Sequence, residues 1–562
     1  MARTVGIGKQ DFEKIRKADC FYIDKTSFIK EWWDNNDDVT LITRPRRFGK
    51  TLNMSMLEQF FSLKYANREE LFEGLAIWKE ERYRAMQGTY PVISLSFANV
   101  KEITFEKTEQ CIRQIIADLY NQHCYLMDSN LLSDGEKAYM HNIIMEKADA
   151  PIALSLHRLT DYLRRYYGKK VIILLDEYDT PMHEAYVNNF WDELVTFTRS
   201  FFNATFKTNP HLERAILTGI TRVSRESVFS DLNNLEIVTT TSNKYETSFG
   251  FTEAEVIEAL EEYGLAEKMP DVKSWYDGFM FGKVKDIYNP WSIINYLDKK
   301  KLGTYWANTS TNKLIGNLIQ AGSSEIKVDF EDLLQGKILK KRIDEQIVFK
   351  NLSSDENAVW SLLLASGYLK TTAYTFDEET GEEWYQLALT NKEVQLMFKT
   401  MIRGWFTEEQ AVYNSFVKAL LKDDLKAMNV YMNRVALSTF SYFDTGKRAS
   451  EHTEPERFYH GFVLGLLVEL NEKYIILSNR ESGFGRYDVI LEPKNSLDNA
   501  MILEFKVYDP EEEKSLDDTV KNALKQIEEM NYEAELITRG VSRKNIKKYG
   551  FAFEGKKVLI GN

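Results

Sequence analysis

What this sequence lacks narrows its reading first. Cysteine is scarce: Cys20, Cys111 and Cys124 are scattered, odd in number and without metal-ligand spacing. They offer neither a disulfide framework nor a zinc site, and they fit a reducing cytoplasm. No apolar run approaches the ~20 residues that a membrane span requires; the longest, such as Val171 to Leu175, have the length of buried strands. Residues 1–12 hold no apolar core followed by a small-residue cleavage site, so no signal peptide is expected. Positive charge is short as well. A net charge of −13 argues against a broad electrostatic footprint for nucleic acid. A local one stays open, because Arg539, Arg543, Lys544, Lys547 and Lys548 cluster near the C-terminus. A solvated basic helix face accounts for that run equally well.

With 562 residues, 44% of them apolar and 28% charged, the chain reads as an ordinary folded protein. It is too long for one core, so about three domains are expected. In the first third, Val39 to Thr43 reads as a buried strand and a helix begins near Lys50, with Leu52, Met56, Phe60 and Leu63 at helical spacing. The turn between them is Pro45-Arg46-Arg47-Phe48-Gly49-Lys50-Thr51. A strand-to-helix turn presents backbone N–H groups and positive dipole to an anion. Lys50 would reach the β- and γ-phosphates of ATP, and the Thr51 hydroxyl would bind Mg²⁺. Arg44 stands where the phosphate-loop pattern has its first glycine. A second motif supports the first: Val171 to Leu175 is a continuous apolar strand ending in Asp176-Glu177. Such strands lie in the middle of parallel sheets, and α/β sheets bind ligands at the carboxyl ends of their strands. Asp176 would hold Mg²⁺ through water and Glu177 would polarise the attacking water, although an acidic N-cap after a core strand remains an alternative. Further strands are expected over Tyr90–Phe97, Arg214–Ile220 and Leu235–Thr241. Thr218 and Arg222 serve either as γ-phosphate sensors or as capping and salt-bridge residues.

Tyr22 to Thr26, Arg44 to Thr51, Asp176-Glu177 and Phe229 to Asn234 together resemble the bacterial AAA-ATPase-like family, a relative of archaeal-type P-loop ATPases. The resemblance implies an ASCE-type P-loop fold, with Lys50, Thr51, Asp176 and Glu177 in their usual roles. It places the nucleotide against Arg46, Arg47, Phe48 and Gly49.

From about Phe251 the pattern turns helical, opening on the capping box Thr252-Glu253-Ala254-Glu255. An aromatic-rich stretch through Trp306 suggests a helical lid, with core packing as the plainer role for most of those rings. Between Val359 and Thr390, the order helix, strand, turn, strand matches a winged helix. The turn, Asp377 to Glu383, carries five acids and would repel phosphate, so this module is expected to serve packing or protein contact.

The last stretch is expected to run helix Glu456–Leu470, strands at Tyr474–Ser478, Arg486–Leu491 and Met501–Val507, a helix Ser515–Met530, and strands Ala534–Ile537 and Phe551–Ile560. Asp488 and Glu504, on adjacent strands, could converge on one Mg²⁺, a hard cation that prefers oxygen. The metal would lower the pKa of its water and stabilise charge on a scissile phosphate. Lys506, two positions beyond Glu504, lies on the same strand face and would orient the water or neutralise the transition state. Glu456 would complete the metal shell, and Gln526 on the later helix would orient these groups. Glu456, Ser478 to Val489, Glu504-Phe505-Lys506 and Gln526 resemble the PD-(D/E)XK nuclease superfamily domain found behind AAA-ATPase-like domains; Tyr487 occupies the place of the usual proline.

The expectation is therefore an α/β chain in three parts: a P-loop domain with a parallel sheet over 1–250, a helical lid and winged-helix-like region over 251–450, and a PD-(D/E)XK domain over 451–562. It would be a cytoplasmic protein that binds and hydrolyses ATP with Mg²⁺ and controls a nuclease acting on DNA. A homo-oligomer in which a neighbour supplies an arginine is compatible with this. Two alternatives stand beside it: a regulatory ATPase whose nuclease fold only binds or assembles, and a nucleotide switch without turnover. Arg480, Arg486 and Arg539 are expected to make the approach to Asp488 positive.

Overall fold

The computed structural model describes residues 2–562 apart from 148–149, 223–227, 230, 308–312, 322–323, 344–351, 353–354, 406–409, 440–462, 464–466, 468–469, 471–472, 483–484, 496–497 and 556. Two compact units form. Met1–Leu318 with Gly336–Gln395 makes the first, and Ile319–Gln335 with Leu396–Asn562 makes the second.

The first unit is built on five parallel strands: β1 (Val39–Thr43), β2 (Val92–Ser96), β3 (Val171–Asp176), β4 (Leu212–Gly219) and β5 (Leu235–Val238), in the order β2-β3-β4-β1-β5. Every residue of β1 and β3 is buried. Layers on both faces explain why these segments read as unbroken apolar runs rather than alternating ones. β4 lies between β1 and β3, pairing Thr43 with Gly219 on one side and Leu175 with Leu217 on the other. The turn after β1 and the acidic end of β3 therefore flank the carboxyl end of β4. This is the ASCE arrangement that the motifs predict.

Two smaller modules complete the unit. β6 (Phe251–Thr252), β7 (Phe279–Phe281) and β8 (Val284–Tyr288) form a small antiparallel sheet. The helix Glu253–Glu262 leaves it through the expected capping box of Thr252 and Glu255. β9 (Leu339–Arg342), β10 (Leu369–Asp377) and β11 (Glu382–Leu389) form a second sheet behind the helix Glu356–Ala365. That is the helix–hairpin order of a wing, and its acid-rich tip is exposed: Asp377 accepts hydrogen bonds from the N–H groups of Glu379 and Thr380.

In the second unit β12 (Tyr474–Ser482), β13 (Gly485–Pro493) and β14 (Ala500–Val507) form an antiparallel meander. The helix Leu516–Glu529 crosses over to β15 (Ile546–Glu554), parallel to β14, and β16 (Lys557–Gly561) folds back on it. Val520, Ala523 and Ile527 are the buried face of that helix. Two expectations are corrected. Ala534–Ile537 is not a strand but part of the short helix Glu533–Thr538; Glu533 and Glu535 in its first turn suit a helix N-terminus, and four residues are too few for periodicity to decide. The final strand is a hairpin of two. Most of the expected helix over 456–470, Glu456 included, lies outside the described residues; Val463, Leu467 and Leu470 are buried in the core.

Candidate functional site

The turn after β1 reverses through two left-handed residues, Arg47 (φ 66°) and Gly49 (φ 86°), and delivers the chain into the helix Lys50–Phe61. Arg44 is not among the left-handed residues, so the glycine of the usual pattern is not needed for its backbone. Its side chain leaves the turn and is fully buried. One guanidinium nitrogen, Nη1, donates to the carbonyls of Thr43 (2.9 Å) and Thr239 (2.6 Å), and Nη2 donates to that of Lys244 (3.3 Å). The plane lies 4.6 Å from the Phe281 ring centroid. Burial pushes the Arg44 pKa down to about 9, against the more distant pull of Glu31 and Glu246.

Lys50 is buried and donates to the carbonyls of Arg44 (3.0 Å) and Pro45 (3.1 Å), with Glu177 Oε1 at 3.7 Å. The helix it opens has no side-chain cap and no acid in its first turn. Its orphan N–H groups and a buried ammonium suit an anion. Across β4, the Thr51 hydroxyl donates to Asp176 Oδ2 at 2.7 Å, and Thr218 donates to Asp176 Oδ1. These are the oxygen donors a hard cation takes. Glu177 sits at φ 54°, and burial raises its carboxyl pKa while Lys50 opposes the rise. A raised carboxylate pKa is the direction that suits a general base. Arg222 lines a small cavity with Thr43, Thr239 and Ser361.

One acid was not foreseen. Asp179 is fully buried, and its Oδ2 accepts from the N–H groups of Ile220 (2.9 Å) and Thr221 (2.8 Å), with His183 Nε2 at 3.3 Å. Its Oδ1 lies 2.6 Å from where a Cβ on Gly219 would sit. Asp179 thus fixes the turn after β4, beside Thr218. The signal was available: a third acid in Asp176-Glu177-Tyr178-Asp179 with a histidine one helical turn later.

In the second unit, β13 and β14 pair over Leu491–Met501 to Val489–Leu503 and no further. β13 then continues with β12 to Gly485, and β14 with β15 to Val507. Asp488 and Glu504 are the first residues on either side of this fork. Asp488 Oδ2 accepts from the Phe505 N–H at 2.8 Å, so a carboxylate replaces the missing ladder bond. Glu504 is 2% exposed, and its Oε1 accepts from Gln526 Nε2, which also reaches the Tyr532 hydroxyl at 3.0 Å. Lys506 follows on the half-buried end of β14. The fork sets Asp488 on the Phe505 N–H next to Glu504, which Gln526 holds, with Lys506 two residues further along β14. Two carboxylates in adjacent register fit a divalent cation as a partial shell; among the described residues no group of three or more metal-binding side chains occurs.

Of the residues expected to make the approach positive, Arg539 is described, and it is ion-paired like most of the basic run around it. Arg539 pairs with Glu492 and Glu535, Arg543 with Glu533, Lys547 with Asp423, and Lys548 with Glu533. Four of the five members of the basic run, all but Lys544, are thus ion-paired. The side chains of Arg480 and Arg486 lie outside the described residues.

Residues 6–229 match the family described as predicted AAA-ATPase, AAA-ATPase-like, and residues 454–562 match the PD-(D/E)XK nuclease superfamily. A curated relative, an uncharacterized protein in the vnfD 5′ region of Azotobacter chroococcum mcd 1, is 27% identical over 324 residues. That stretch is 56% of this chain and 56% of the relative, so the chain spans about half the relative's length. The Aeropyrum pernix ORC2 protein, solved as ADPNP-ADP complexes, overlaps 71% of this chain and 95% of its own at 10% identity. With a TM-score of 0.25, that overlap carries no weight for fold or function.

Proposed function

We propose that this chain, an AAA-ATPase-like domain joined to a PD-(D/E)XK nuclease superfamily domain, binds and hydrolyses ATP and uses its nucleotide state to control a Mg²⁺-dependent nuclease acting on DNA. The observation that carries the reading is the set at the carboxyl ends of β1, β3 and β4, where buried Lys50, Asp176 and Thr218 meet half-buried Thr51 and Glu177.

Lys50 turns from the Arg44 and Pro45 carbonyls to the phosphates, and the turn's N–H groups hold the same oxygens. Thr51 and Asp176, which share a hydrogen bond, would hold the Mg²⁺ that accompanies the nucleotide. Glu177 takes the proton of the attacking water, and its pKa, raised by burial, suits that task. Thr218, bonded to Asp176, reports the γ-phosphate to β4. At the fork Asp488 and Glu504 hold the cation, Gln526 keeps Glu504 aimed, and Lys506 orients water and neutralises charge at phosphorus. Mg²⁺ supplies an acidified water and charge compensation there. Arg480, Arg486 and the residues of the basic run would steer the DNA, once phosphate replaces the carboxylate partners of Arg539, Arg543, Lys547 and Lys548. Those same ion pairs favour a second reading, in which the C-terminal domain binds or assembles without cutting.

The test is Mg²⁺-dependent plasmid cleavage and phosphate release by the full chain. Loss of cleavage in Lys506→Ala, with ATP hydrolysis retained, supports the nuclease. Hydrolysis without any cleavage supports the second reading.

A further inference from the structure

The turn that would hold phosphate is gripped, residue by residue, by segments that follow it by some 200 residues or more. Pro45 lies against Gly367: a Cβ there would sit 2.8 Å from Pro45 Cγ and 2.9 Å from Phe279 Cε1, and Gly367 is left-handed at φ 84°. The Arg46 carbonyl accepts from Trp306 Nε1 at 2.9 Å and from Asn289 Nδ2 at 3.2 Å. The Arg47 guanidinium lies 4.4 Å from the Trp291 ring centroid, which helps hold its left-handed backbone. Phe48, 1% exposed, packs on Phe279 and Phe281 at 4.7 and 5.3 Å between ring centroids.

The grip has its own anchor. Glu393 is 1% exposed, and its Oε1 accepts from the N–H groups of Trp306 (2.6 Å) and Ala307 (3.3 Å). Its Oε2 accepts from the Ser292 hydroxyl at 2.7 Å. A buried carboxylate with three donors holds its neighbours far more firmly than a surface pair. It stands in the first turn of the helix Lys392–Trp405. Phosphate loops commonly rely on glycines that let the backbone wrap the anion unaided. Here one glycine remains, and side chains from the lid and the wing supply the rest.

We infer that Trp306 and Gly367 are positioning residues for the nucleotide site, with Glu393 as the anchor of Trp306, so that nucleotide affinity is set by how the lid and wing seat on the turn. The inference rests on the nucleotide reading above and adds its regulation. A preformed loop binds more tightly than one that must be ordered on binding, and the clamp does the ordering in advance. Conversely, bound nucleotide holds the lid and wing in place, since such coupling is reciprocal.

The test is titration of the full chain with a fluorescent N-methylanthraniloyl ATP in the presence of Mg²⁺, comparing wild type, Trp306→Phe and Gly367→Ala. Trp306→Phe keeps an aromatic ring against Phe279 and Tyr368 and removes the N–H donor along with one ring of the indole. Loss of one such bond predicts a Kd roughly fivefold higher, with one site per chain still filled at saturation. Gly367→Ala adds a methyl group against Pro45 and deletes no hydrogen bond, and its Kd is expected to rise at least as much. A residue of merely structural importance would lower the fraction of chains that bind and leave the Kd of the rest unchanged. That result in both variants overturns the inference, as does an unchanged Kd at full stoichiometry. If wild type binds no nucleotide, the nucleotide reading fails with it, an outcome distinguishable because wild type is titrated alongside.

Discussion

Replacing Arg44 by glycine brings the turn after β1 closer to the usual phosphate-loop pattern and is predicted to damage the protein. Two effects oppose each other. Removing the guanidinium releases a buried cation that has no carboxylate in contact, and a pKa depressed to about 9 measures how unwelcome that charge is. The sign is explicit: a base lowered in the fold makes the fold gain stability as pH rises above about 9, so at pH 7 the charge carries a cost. Against this, glycine strands the carbonyls of Thr43, Thr239 and Lys244, at about 1.5 kcal/mol net for each charge-assisted bond. It also empties a fully buried site the size of an arginine, worth about 3 kcal/mol or more. It loosens the chain by about 1 kcal/mol besides. The depression from 12.5 to about 9 sets the cost of the buried charge at about 5 kcal/mol; the losses together come to about 8 kcal/mol, so they win, and we expect about 4 kcal/mol of destabilisation. Calorimetry of the full chain should then show the unfolding step of the P-loop unit falling by roughly 4–8 °C, at ~1–2 °C per kcal/mol in a unit this large. Arg44→Gly melting at or above wild type would refute the reasoning.

Three further outcomes follow from the same geometry. Glu177→Gln should keep nucleotide affinity and lower steady-state phosphate release by roughly a hundredfold or more, the usual yield of a general base; equal turnover would remove Glu177 from that role. Gln526→Leu should raise the Mg²⁺ concentration needed for half-maximal cleavage roughly tenfold, because it removes the donor that aims Glu504; an unchanged Mg²⁺ titration would count against it. Asp277, whose pKa burial and Asp286 raise to about 6, is raised in the fold, so its contribution is full in acid and is lost as pH rises through about 6. Asp277→Asn should therefore stabilise the chain by about 1 kcal/mol at pH 7, after allowance for solvent screening, and by nearly nothing at pH 4; equal gains at both pH values in denaturant melts would exclude the cause.

Much of the fold was legible because its strongest signals are local. The runs Val39 to Thr43 and Val171 to Asp176 are buried on both faces, so composition alone marks them as central parallel strands. The capping box at Thr252 and the helix behind Gln526 follow equally short-range rules. Legibility failed where the deciding contact was distant. Arg44 reads as a defect in a motif until Thr239 and Lys244, some two hundred residues later, are found to receive its guanidinium. The parting of β13 from β14, which opens the space between Asp488 and Glu504, depends on how each strand pairs on its far side. The basic run left a phosphate surface and a solvated helix face equally open because its partners Glu492, Asp423 and Glu533 lie on other elements or outside the pattern. Ala534 to Ile537 failed for the opposite reason, being too short to show a period.

The central claim is that nucleotide at Lys50 governs chemistry at Lys506. It is tested most directly by cleavage of a supercoiled plasmid with Mg²⁺, with and without ATP, in wild type, Lys50→Ala and Lys506→Ala. The account predicts no cleavage by Lys506→Ala, ATP-dependent cleavage by wild type, and a rate in Lys50→Ala that ATP leaves unchanged. Cleavage by wild type and Lys50→Ala at equal rates, indifferent to ATP in both, would contradict it.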